Sequence, residues 1–131
     1  MPNILLRSSE NINAAQKLID IGHYTSSIHC SYYSVLQMMK HILHHKCSIS
    51  YSSQNDGTGL LSHDNICTKI YHAGNTQAFR RDFRVTFNNL KSKRKKADYE
   101  NSDLFSDIES LNVKEKSDKL ISKLKSEFQI R

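Results

Sequence analysis

Arg94 says most about possible chemistry. It falls in a stretch from Gln77 to Asp98 where Phe79, Phe83, Phe87, Leu90 and Ala97 recur at helical steps. At 100° per residue, Arg94 projects within about 20° of Phe87, inside the apolar stripe, while Lys95 and Lys96 point away. A guanidinium keeps its charge wherever it is put and carries only donors, so an inward arginine needs an acceptor. Asp98, one turn further on, is placed to be that acceptor, which gives a structural ion pair. The other reading is an arginine held ready for a phosphate, and the spacing leaves both open. Arg80, Arg84 and Lys91 share one edge of the same helix beside Arg94. They form a strip suited to phosphate contacts that carry no sequence discrimination.

The histidines are the other candidates. His63 and His72 flank the expected third helix, and each is either a general base or phosphate contact, or a plain surface imidazole. His29 lies close to the apolar stripe of the second helix and reads as a satisfied core histidine rather than a catalyst. His41 and His45 have the i,i+4 spacing of two metal ligands, with His44 and Cys47 nearby. No carboxylate lies in that segment and no second ligand pair follows, and histidines in a last turn also suit the negative end of a helix. No metal is therefore expected. There is no P-loop, dinucleotide fingerprint, HExxH or nucleophile elbow, so no cofactor is expected either.

Charge supports an anionic partner. Between Arg80 and Lys96 eight basic residues face one acid, Asp82, so this segment carries +7 and the rest of the chain sums to −1. Asp98, Glu100, Asp103, Asp107 and Glu109 follow with no basic residue among them. A basic helix raises the case for nucleic acid or nucleotide, and the two blocks are complementary enough to dock within a chain or between two.

The elements that must position these residues are helical. The 131 residues fit one domain spanning 1–131. Only 4 Gly and 1 Pro occur, too few for the turns of a sandwich or barrel, which favours an all-α fold. A first helix runs from about Asn3 or Ser9 to Ile21, with Ile4, Ile12, Ala15, Leu18 and Ile19 on one face and Gly22 as its stop. A second spans about Thr25 to His45 on Ile28, Tyr32, Val35, Leu36, Met39 and Leu43. A polar loop rich in Ser, Asn and Gly covers about 46–61. Ser62 caps a third helix carrying Ile66, Ile70 and Tyr71, which Gly74-Asn75 ends. Thr76 caps the fourth. After an irregular stretch with Leu104, Phe105 and Ile108, Asn112 caps a last helix on Val113, Leu120, Ile121, Leu124 and Phe128.

No apolar run approaches the roughly 18–20 residues that span a bilayer, and Met1–Arg7 is too short for a signal-peptide core. The three cysteines, Cys30, Cys47 and Cys67, are odd in number without CxxC spacing, which points to a reducing, cytoplasmic setting.

These residues resemble the HEPN family. The pattern Asn13-Ala14-Ala15, Leu18, Gly22-x-Tyr24 and Ser31-Tyr32-Tyr33-Ser34 is similar to the family's opening helical pair. Ser62-His63 is similar to the Thr/Ser-His that opens its third helix. Arg94-Lys95-Lys96-Ala97-Asp98-Tyr99 is similar to its R-x-x-A-D-Y signature. The subgroup resembled is the bacterial one like the C-terminal domain of sacsin, and the likeness covers about Asn3 to Phe128. It implies an up-and-down bundle of about five helices that homodimerises. It also implies nucleotide or RNA binding near the second and fourth helices, where Tyr32, Tyr33, His29, Asp98 and Tyr99 join Arg94, Arg80, Arg84 and Lys91. A nucleotidyltransferase partner in a toxin–antitoxin pair is implied as well. HEPN ribonucleases use R-x4–6-H, and here no histidine occurs beyond His72. Three functions follow. One is a non-catalytic phosphate-binding module. Another is a metal-independent, toxin-like ribonuclease with a displaced base, His63 or His72. The third is an interaction subunit for a nucleotidyltransferase.

Overall fold

A computed structural model of the protein describes residues 3–51, 62–99 and 105–130. Positions 52–61 of the expected polar loop lie outside the described residues, as do Glu100, Asp103 and Leu104. Among the described residues the chain forms five α-helices and no strand: α1 (Ile4–Asp20), α2 (Tyr24–Lys46), α3 (Ser62–Ala73), α4 (Gln77–Tyr99) and α5 (Asp107–Phe128). They make an all-α bundle, and none of them is long and apolar enough to cross a membrane.

α2 is the centre, because the other four helices all pack against it. Its sequence permits this: from Tyr24 to Met39 it carries no Asp, Glu, Lys or Arg. The stripe Ile28, Tyr32, Val35, Leu36, Met39 and Leu43 is fully buried, and so are Met38 and Ile42, because a helix covered from several sides buries more than one face. Toward α1 the side chains are small. Ser27, Ser31 and Ser34 are buried on α2, and Ser8 and Ala15 on α1. The Ser8 hydroxyl donates to the Ser34 carbonyl at 2.6 Å, which holds the two backbones close. The connection is a Schellman turn. Gly22 N–H donates to the Ile19 carbonyl and His23 N–H to that of Leu18, with Gly22 at φ 82°.

α4 buries Phe79, Phe83, Phe87, Leu90 and Arg94 and no other residue fully. The phenyl rings follow one another at 5.6 and 5.9 Å, and Phe87 meets Tyr32 of α2 at 5.6 Å. Thr76 caps the helix by accepting the Phe79 N–H at 3.1 Å. Gly74 precedes it because a Cβ there would sit 2.6 Å from the Phe79 ring.

The last helix starts earlier than expected. Ser106 is its N-cap: its hydroxyl accepts the Glu109 N–H while the Glu109 carboxylate accepts the Ser106 N–H, each at 3.2 Å. Asn112, read as the cap, is instead an exposed residue inside the helix, because the capping box lies six residues upstream. Ile108, grouped with an irregular stretch, stands in the first turn and is 70% exposed. α5 runs antiparallel to α4, with Asp82 paired to Lys123 and Asn89 bonded to Lys116.

Candidate phosphate site

Arg94 sits where the Phe row of α4 ends and α2 closes over it. It is 7% exposed. Tyr32, Tyr33 and Tyr99 surround its guanidinium, with ring centroids at 5.0, 5.9 and 5.8 Å. Its polar contacts are long: Nη1 lies 3.5 Å from the Asp98 carboxylate and 3.5 Å from the Tyr99 hydroxyl. Its Nε is buried with no hydrogen-bond partner. Good charge-assisted bonds are about 2.7–2.9 Å, so this cation is only partly satisfied. Burial works against its charge, but Tyr33, Tyr32 and Asp98 more than offset this and raise its pKa, so it stays cationic.

Asp98 has a closer partner than Arg94. Its two oxygens lie 3.0 and 3.1 Å from His29 Nδ1. His29 is not the core histidine that its place near the α2 stripe suggested. Its side chain is 48% exposed, because it lies beyond the edge of the stripe where α4 ends. Its ring packs on Tyr33 at 4.5 Å. Beside this pair is a cavity of about 400 Å³, lined mainly by Thr25, Ser26, His29, Cys30 and Asp98.

His63, at the start of α3, joins the site from the other side. Its Nδ1 and the Tyr32 hydroxyl are hydrogen-bonded at 2.9 Å. Burial, then the charges of Arg94, Lys40 and Lys91, push its pKa from 6.5 down to about 4, against a smaller opposing effect of Asp64. The imidazole is therefore neutral at pH 7. Burial also raises the Tyr32 pKa, which keeps the phenol protonated.

The fold thus brings together Arg94, Asp98, Tyr99, Tyr32, Tyr33, His29 and His63. It sends the rest of the basic strip toward α3. Arg80 Nη1 donates to the Gly74 carbonyl at 2.6 Å, the Arg84 guanidinium lies 4.0 Å above the Tyr71 ring, and Lys91 pairs with Asp64. Of these, Lys91 alone bears electrostatically on His63. His72 is exposed against Tyr71, about 13 Å of helix along from His63, so the fold does not bring it to the group around Arg94 as it does His63. Lys40 escaped the sequence reading. Its signal was its spacing of seven from Tyr33, which puts it two turns on along the same edge. The second histidine group lies near the far end of α2. His41 and His45 stand 4.4 Å apart, and His44 stacks on Tyr51 at 4.1 Å. Among the described residues no three His, Cys, Asp or Glu side chains converge to hold a metal.

Comparison with protein-family models and with curated proteins gives no match.

Proposed function

We propose that this chain is a HEPN-type module that binds a nucleotide or RNA phosphate at Arg94 and acts as a homodimer. One observation carries the binding: a nearly buried guanidinium whose contacts are long and whose Nε has no partner. A purely structural arginine in such a place would be expected to have its donors filled. A phosphate oxygen supplies the missing acceptors, and the three tyrosine rings shield the pair from water, which strengthens it. The cavity beside Asp98 is of a size to take a nucleoside. Titration with ATP, GTP and short RNA across a salt series tests the proposal. Arg94→Ala, with the fold checked by circular dichroism, should weaken binding by about ten- to a hundredfold. Unchanged affinity in that variant would refute it.

A second reading, the metal-independent ribonuclease, is favoured by the closeness of His63 to Arg94 within one chain. RNA left intact by high protein concentrations in EDTA would remove it. The toxin–antitoxin or nucleotidyltransferase setting rests on the resemblance alone, and co-purification with a nucleotidyltransferase tests it.

A further inference from the structure

Building on Arg94 as a phosphate site, we propose that the Arg94–Tyr32–His63 cluster prefers a terminal phosphate monoester to an internal phosphodiester, and that His63 binds a proton as the ligand enters.

Access is the first argument. Arg94 is 7% exposed and ringed by three tyrosines, of which Tyr99 is itself largely exposed, as is the side chain of nearby His29. A group at the end of a ligand can reach into such a place. An internal phosphate carries a nucleotide on both sides and would have to thread a strand through it.

Charge is the second. His63 faces Tyr32, Tyr33 and Lys40 of α2 and Lys91 and Arg94 of α4, with Asp64 next to it on its own helix. Burial first, and then the charges of Arg94, Lys40 and Lys91, keep the ring neutral against the smaller opposing effect of Asp64. A monoester carries about −1.5 to −2 at pH 7, and a diester carries one negative charge. The additional negative charge close to the ring offsets both its burial and the neighbouring cations, so the imidazole becomes a favourable place for a proton. That proton comes from solvent or from the monoanionic ester itself, and no covalent bond changes. Protonated His63 then adds a second cation to the site, which a diester recruits less well.

The test is calorimetric titration of the full chain at pH 6.5 in two buffers of very different ionisation enthalpy. The ligands are a nucleoside 5′-monophosphate, a short RNA with a 5′-phosphate, and the same RNA with a 5′-hydroxyl. The 5′-phosphate should bind at least tenfold tighter than the 5′-hydroxyl, with half a proton or more taken up. His63→Gln should abolish the uptake. Comparing the mononucleotide with the phosphorylated RNA identifies the source of the monoester. Equal affinity for both RNAs, no uptake by the unaltered protein, or full uptake in His63→Gln would overturn the inference. If 5′-hydroxyl RNA binds as tightly as the others, the inference fails while the Arg94 reading survives. Failure of every ligand to bind would sink both.

Discussion

Arg94→Met separates an arginine kept for stability from one kept for a ligand. Methionine has a similar length and no charge. The losses are a 3.5 Å ion pair to Asp98 and ring contacts, the closest of which is to Tyr32 at 5.0 Å. A loose pair at that distance contributes about 0–1 kcal/mol, and cation–π contact with a guanidinium so little exposed contributes about 2 kcal/mol. Asp98 is not orphaned, because His29 still holds it at 3.0 Å. The gain is relief of a buried donor without a partner, Nε, whose cost is about 1–3 kcal/mol. Gain and losses nearly cancel, so Arg94→Met should leave the stability within about 1 kcal/mol of the unaltered protein, a change in Tm of no more than about 3–6 °C for a domain of this size. Phosphate binding should fall at least tenfold in the same variant. Thermal melting by circular dichroism and ligand titration read both effects. A destabilisation of 2 kcal/mol or more would refute the reasoning, since it would mean that the arginine is a structural member of the core.

Three further outcomes follow from the packing. Gly74→Ala pushes a methyl group into the Phe79 ring and should cost about 1–3 kcal/mol in chemical denaturation, whereas a neutral result would mean that the ring moves aside freely. Ser106→Ala should cost about 1 kcal/mol by opening the α5 capping box, while Asn112→Ala should change stability by less than about 0.5 kcal/mol; equal effects would contradict the observed helix start. The folded-state pKa of His63 is depressed, so between pH 6.5 and about 4 the unfolded chain binds the extra proton. Its contribution is whole above pH 6.5 and is lost as pH falls through that window, on the order of 1–2 kcal/mol after allowing for partial exposure. His63→Gln should flatten that part of the stability profile, and an unchanged slope would argue against a neutral, half-buried ring.

Much of the bundle was legible because helical periodicity is local. The α2 stripe and the Phe row of α4 both emerged from steps of three and four, and the same geometry placed Arg94 among apolar residues. The start of α5 was also written in the sequence, as Ser106-x-x-Glu109, but Asn112 drew the boundary because it stands directly before the apolar Val113. What spacing could not give was partnership across the chain. Tyr32 and His63 are 31 positions apart, and His29 and Asp98 are 69. Nothing local says that they meet. The same blindness made the strip of Arg80, Arg84 and Lys91 look free, when α3 and the Gly74 that follows it supply a carboxylate, a ring and a carbonyl.

The hairpin of α1 and α2 joins two unequal halves. α2 is gripped by four helices and supplies much of the fully buried apolar side-chain set, whereas α1 buries completely only Ser8 and Ala15. Small side chains bring helices close but remove little oily surface from water, so the free energy holding α1 down is modest. Under native conditions α1 should therefore detach in brief excursions that leave the other helices standing, and its amides should exchange with deuterium well before those of α2.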